Sequence, residues 1–261
     1  MWGDSTVTLG LVAAARDQGL DITVDQYPYT AGSTGLINVI PAWARAGSRE
    51  DFQARIDDPE TRAKIRAETI AILYGARAGG DLSRITVASF PSHPEYAGKT
   101  MAEITEMRGR EPTIENGAEV AMEILYDSGG SAIYHMMVEE DVQRIMQTPF
   151  TSIASDGSAG TFGKNVPHLR NYGTFPRVLR KYVREEGLFD LEQAIHKMTA
   201  MPADRIGLET RGRLAKGMIA DISIFDPETV SDNDDWAHPH QYATGFSHVL
   251  VGGTLVISDG E

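Results

Sequence analysis

The sequence predicts an α/β fold, built as part of a (β/α) barrel with a long insertion and a small β region at its C-terminal end. Three observations carry this expectation. Short apolar runs that end in a polar or acidic tip recur at 22–25, 132–135 and 150–156. The first two follow a stretch with helical spacing, and a third helical stretch separates the second from the last, as in the αβ half of a βαβ repeat. Beyond residue 213 the pattern changes to short strands around Gly252-Gly253, a hairpin signal.

Taken in order, the first helix is predicted over 6–18, with Leu9, Val12 and Ala13 on one face and Gly19 as its stop. Ile22-Thr23-Val24 follows as a short buried strand ending at Asp25. Thr113 is placed to cap a helix carrying Ile114, Ala118, Ala121, Met122 and Leu125 at helical spacing. The strand 132–135 ends at His135, and Val138, Val142, Ile145 and Met146 mark the next helix. The strand 150–154 leads to Asp156. Helices are expected at 175–184 and 191–200, the second with Asp190 and Gln193 as a capping box. Three barrel strands are therefore expected, ending near Asp25, His135 and Asp156, where a closed barrel takes about eight. An insertion at about 35–112 has its own helices (49–56, 60–73) and a strand (84–89). Long decorated loops of this kind form lids or substrate walls, which places it on the catalytic face. Strands at 220–225, 248–251 and 254–257 complete the pattern, so the expected domains are 1–212 and 213–261.

Composition sets outer limits. With 261 residues, 41% hydrophobic and 23% charged, the chain has enough length for one large domain and a small one. Its net charge of -13 argues against nucleic acid and anionic membranes as partners. No run approaches the roughly 18 apolar residues of a membrane span, and Met1-Trp2-Gly3-Asp4 does not begin a signal peptide. The absence of cysteine excludes disulfides and any Cys-based metal site or nucleophile. A cytoplasmic location is expected from these features.

Four stretches hold the candidate chemistry. Asp156 stands in Ser155-Asp156-Gly157-Ser158-Ala159-Gly160 at the tip of a strand, where a barrel keeps its catalytic groups; Asp-Gly is equally a turn dipeptide. Tyr27 and Tyr29 bracket Pro28, and a phenol there either packs or polarises a carbonyl. Arg170 offers a planar fork that matches a carboxylate, although a surface acid would also satisfy it. His238-Pro239-His240 spells a metal motif but lies in a polar loop, and is read as no metal site; His196 is read as structural.

His168-Leu169-Arg170-Asn171-Tyr172-Gly173-Thr174-Phe175-Pro176-Arg177-Val178-Leu179 resembles the signature block of the N-acyl-D-amino-acid deacylases (D-aminoacylases) of the amidohydrolase superfamily. Asp25-Gln26-Tyr27-Pro28-Tyr29-Thr30-Ala31-Gly32-Ser33-Thr34 is similar to a strand-end motif of that family, and 212–221 and 238–253 resemble its last segments. The resemblance runs in order through nearly the whole chain. It implies the C-terminal part of a metal-dependent hydrolase TIM-like barrel, beginning just before the sixth barrel strand. It further implies hydrolysis of N-acyl-D-amino acids by metal-activated water, with Asp156 as general acid/base and with Tyr29, Ser33, Arg170 and Tyr27 as substrate contacts. Zinc is the implied cofactor, its ligands expected upstream of Met1, so that no metal ligand is assigned here. The implied partners are a small-molecule N-acyl-D-amino acid and an N-terminal half of the same enzyme or a second copy of the chain. Where the family has His-Pro-Arg, this chain has His168-Leu169-Arg170. Two further readings stand beside this one: a truncated or split segment, inactive alone, and a dihydroorotase- or hydantoinase-like cyclic amidohydrolase.

Overall fold

The computed structural model describes residues 3–233 and 235–261. Met1 and Trp2, the start of the stretch read as no signal peptide, lie outside them. In chain order, α1 (Ser5–Asp17) leads to β1 (Val24–Gln26) and β2 (Gly32–Gly35). Then α2 (Arg49–Asp57) and α3 (Pro59–Ile72) precede β3 (Ile85–Ser89). Next, α4 (Met101–Met107) and α5 (Ile114–Tyr126) precede β4 (Ser131–Tyr134), and α6 (Glu139–Met146) precedes β5 (Thr151–Ile153). Finally α7 (Thr174–Arg177) widens into a π-helical segment over Val178–Glu185, followed by α8 (Leu191–Met198), α9 (Ala200–Arg205) and the strands β6 (Ile222–Phe225), β7 (Phe246–Val251) and β8 (Thr254–Ser258). The chain divides into two compact units.

The first unit comprises 30–137 and 163–168. Its sheet has the order β2-β4-β3, antiparallel throughout, with β4 in the centre. Against it packs α5, whose five anticipated apolar positions, Ile114, Ala118, Ala121, Met122 and Leu125, are all buried, with Ile65, Ile85, Val87, Met101 and Ile104 in the same cluster. Side-chain caps start the helices here: Ser48, Asp58, Thr100 and Thr113 each accept a backbone N–H of the first turn. The strand ending at His135 was expected to be a parallel barrel strand. Instead it pairs antiparallel on both edges. Three consecutive buried residues, Ala132-Ile133-Tyr134, suit the centre of either kind of sheet, so composition does not choose between them.

The second unit comprises the described residues of 3–29, 138–162 and 169–261. Here β1 and β5 run parallel, with Val24 opposite Thr151 and Gln26 opposite Ile153, and flanking bonds from Val24 N–H to Phe150 and from Ala154 N–H to Gln26 extend the pair. Neither strand has a second neighbour among the described residues. Val142 and Met146 of α6, Tyr182 of the π-helical segment and Ala194 of α8 cover the pair at Ile153. The anticipated capping box of α8 is present, with Asp190 and Gln193 each bonding the other's backbone N–H. The sheet β6-β7-β8 is an antiparallel meander lying wholly within 213–261. Gly252 (φ +59°) and Gly253 (φ +83°) turn β7 into β8, the left-handed pair a two-residue hairpin favours.

Two glycines make a contrasting test of packing. A Cβ on Gly130, just before β4, would press on the Ser89 carbonyl oxygen and the Phe90 ring, whereas one on Gly10 of α1 meets nothing. Gly130→Ala is expected to lower the unfolding free energy by about 1–3 kcal/mol, and Gly10→Ala to raise it by about 0.5–1 kcal/mol. Urea unfolding midpoints check both signs.

Candidate active site

The site is built where β5 ends. Asp156, three residues past Ile153, has φ +47°, a left-handed conformation that Asp tolerates better than most side chains. Gly157 follows at a point where a Cβ would stand 2.9 Å from the Arg170 carbonyl oxygen and 3.3 Å from Asn171 Cα. Only a glycine lets this segment lie so close to the turn Leu169–Asn171. Ser158 N–H donates to Asn171 Oδ1 at 3.1 Å and fixes the approach.

That geometry brings three of the sequence-selected residues together. The Asp156 carboxylate lies 2.8 Å from Arg170 Nη2, its side chain 68% exposed and that of Arg170 only 9%. The Arg170 guanidinium carbon sits 4.8 Å from the centre of the half-buried Tyr27 ring, a cation–π distance. Burial pushes the Tyr27 phenol above its ordinary pKa; Arg170 opposes that effect and Asp156 adds to it. The arrangement is an exposed carboxylate held by a rooted cation, beside a phenol that stays protonated. It can accept and return a proton at the carboxylate and hold an anion at the guanidinium.

Tyr29 is placed beneath this group. It is 2% exposed, and its hydroxyl donates to the Leu169 carbonyl at 3.3 Å, next to Arg170. Arg177 Nε donates to the Pro28 carbonyl at 2.8 Å, with its guanidinium carbon 4.9 Å from the Tyr29 ring centre. Trp236 meets the same ring edge-on at 6.5 Å. Behind Arg177, at 3.3 Å, is Asp232, which also takes Arg180 Nε. Sequence reasoning assigned no role to Arg177 or Asp232. Arg177 stood inside the quoted signature block, but an acid in the polar loop 231–233 carries no local signal.

Ser33 belongs to the other unit, on β2 opposite Ile133. His168, also of that unit, is buried with its ring Nε2 2.8 Å from the Ala31 carbonyl. His135 is half-buried, and burial depresses its imidazole pKa. The two rings of His238-Pro239-His240 have separate partners: His238 faces Asp235, and His240 Nδ1 lies 3.1 Å from the Tyr172 hydroxyl. Among the described residues no three His, Cys, Asp or Glu side chains are grouped to hold a metal ion, so these residues do not by themselves fit one. A cavity of about 520 Å³, lined by Gln147, Pro149, Phe189, His196 and Lys197 among others, opens where β5 begins, at the opposite end of that strand from Asp156. There Lys197 is buried and donates to the carbonyls of Thr148 and Thr151 at 2.6 and 2.9 Å, a brace for the strand. No helix among the described residues is long and apolar enough to cross a membrane.

The parallel pair β1-β5 with an acid just beyond the end of β5 is the arrangement found at the strand ends of (β/α) barrels. A model of the amidohydrolase family matches residues 5–257, and the chain belongs to that family. It is 38% identical over 255 residues to N-acyl-D-glutamate deacylase from Alcaligenes xylosoxydans xylosoxydans, a match that covers 98% of this chain and 42% of that protein. A crystal structure of D-aminoacylase superposes with a TM-score of 0.75 at 34% identity, covering 100% of this chain and 44% of that one. N-acyl-D-glutamate deacylase from Bordetella bronchiseptica, solved with zinc and a phosphonate inhibitor, does so at 0.74 and 32%, with the same coverage. The chain thus spans less than half the length of these relatives and matches their C-terminal portion.

Arg170→Met keeps the bulk beside Tyr27 but removes the charge that lowers its phenol pKa. One tyrosine of the nine is then expected to ionise at higher pH than in the unaltered protein. Difference absorbance during alkaline titration checks the direction.

Proposed function

We propose that this chain supplies the proton-transfer and substrate-holding groups of an N-acyl-D-amino-acid deacylase, which hydrolyses a linear amide to a carboxylate and a free D-amino acid. The observation that carries the reading is the exposed Asp156 carboxylate held 2.8 Å from a buried arginine at the tip of a parallel strand. Identity of 38% to an N-acyl-D-glutamate deacylase supports the substrate class.

In this reading Asp156 takes a proton from the attacking water as the new C–O bond forms. It returns that proton to the amide nitrogen as the C–N bond breaks, so the amine leaves neutral. Arg170 receives the substrate's α-carboxylate. A guanidinium has five N–H donors, enough to serve a substrate carboxylate and Asp156 together. Tyr27 offers its protonated phenol alongside, and Tyr29 supports the turn from below. We assign zinc to the whole enzyme, on the strength of the zinc-bound relative. In this reading its ligands belong to the part of the relatives that this chain does not span. The same reading takes 1–212 as barrel carrying an insertion that runs on through β4 instead of ending near 112, and 213–261 as part of the small β domain.

A second reading, an assembly segment that is inactive until completed, is favoured by the open outer edges of β1 and β5 among the described residues. The two agree if another portion of chain closes the barrel.

In the complete enzyme, Asp156→Asn is expected to lower kcat by about 100-fold or more, with KM changed far less. The assay is release of free D-glutamate from an N-acyl-D-glutamate. Retention of kcat within about tenfold would remove Asp156 from the proton-transfer role.

A further inference from the structure

Asp232 is 1% exposed in its side chain, too deep to meet a substrate, yet it carries a charge that burial alone would make unfavourable. Burial pushes its carboxyl pKa up, but Arg180 and Arg177 outweigh that effect and hold it below the ordinary range. Replacing a buried ion network by apolar groups is often neutral or stabilising, so stability by itself does not account for the arrangement. The contacts on the far side of Arg177 do.

We propose that Asp232 is a positioning residue for the strand-tip segment Tyr27-Pro28-Tyr29 and the turn that carries Arg170, acting through Arg177. The connection is continuous. Asp232 lies 3.3 Å from Arg177 Nη1. Arg177 Nε donates to the Pro28 carbonyl at 2.8 Å, and its plane covers the Tyr29 ring. The Tyr29 hydroxyl reaches the Leu169 carbonyl, and the next residue, Arg170, holds Asp156. Arg177 and Arg180 lie three residues apart on one helical face, where like charges repel. The carboxylate between them removes that repulsion and fixes the Arg177 fork in the one orientation that serves both Pro28 and Tyr29. Thus a loop between β6 and β7, remote in sequence, sets the geometry of the strand tip beside β5.

The decisive experiment is side-chain hydrogen exchange by NMR on this chain, following the Arg177 Nε–H resonance, assigned by its loss in Arg177→Lys. In Asp232→Asn, which keeps shape and removes charge, that proton is expected to exchange at least about tenfold faster while the backbone amides of β6–β8 stay protected. Unchanged Arg177 exchange would overturn the proposal, and so would a general loss of protection, which marks a role in folding alone. A second arm rests on the deacylase reading. In the complete enzyme Asp232→Asn should raise KM for an N-acyl-D-glutamate about fivefold or more, with kcat within about threefold and the thermal midpoint retained. Unaltered KM would also count against Asp232. If the unsubstituted enzyme releases no D-amino acid, the deacylase reading fails, while the exchange measurement still decides the role of Asp232.

Discussion

A rooted guanidinium beneath an exposed carboxylate organises this site. Arg170 is a cation taken largely out of water, and a buried cation demands close anionic and aromatic company. Asp156 and Tyr27 provide it. Meeting that demand draws the end of β5 down onto the turn Leu169–Asn171, which only Gly157 has room to allow, and bends Asp156 into a left-handed conformation. The carboxylate gains a fixed position without losing access to solvent, the combination a proton carrier needs.

The support beneath is of the same kind, repeated one step deeper. Arg177 does for Tyr29 and Pro28 what Arg170 does for Tyr27, and Asp232 does for Arg177 what Asp156 does for Arg170. Two arginine–tyrosine pairs, each with its own aspartate, thus stand in succession at one strand tip. The outer aspartate is exposed and suited to chemistry; the inner one is sealed and suited to holding shape. At Tyr29 the inner layer meets the outer through a hydrogen bond to the Leu169 carbonyl.

Much of this was legible because local rules and the fold agreed. The five apolar positions of α5, the Asp190–Gln193 capping box and the Gly252-Gly253 hairpin follow from spacing and turn chemistry, and all three are present. The place of Asp156 just beyond a strand end was legible from the apolar run before it. Most of what escaped depends on pairing at a distance. The run ending at Tyr134 is apolar enough for a parallel barrel strand, and only its neighbours β2 and β3 make it the centre of an antiparallel sheet. Helix α4 was missed although Thr100 and Glu103 spell its capping box, because the following apolar run is short. Asp232 was invisible for a different reason: its partners lie 52 and 55 residues away in sequence, and nothing around it distinguishes it from a solvated loop acid.

In the proposed reading this chain carries the proton-transfer and anion-holding groups of an amidohydrolase, and the metal ligands lie in another part of the enzyme. Elemental analysis of the purified chain, after equilibration with trace zinc and removal of free ion, decides whether that is so. Well under one zinc per chain is expected, because a structural or catalytic zinc takes about three or four protein ligands and no such group stands among the described residues. A stoichiometry near one would contradict it, and would mean that these histidines and acids assemble a metal site of their own.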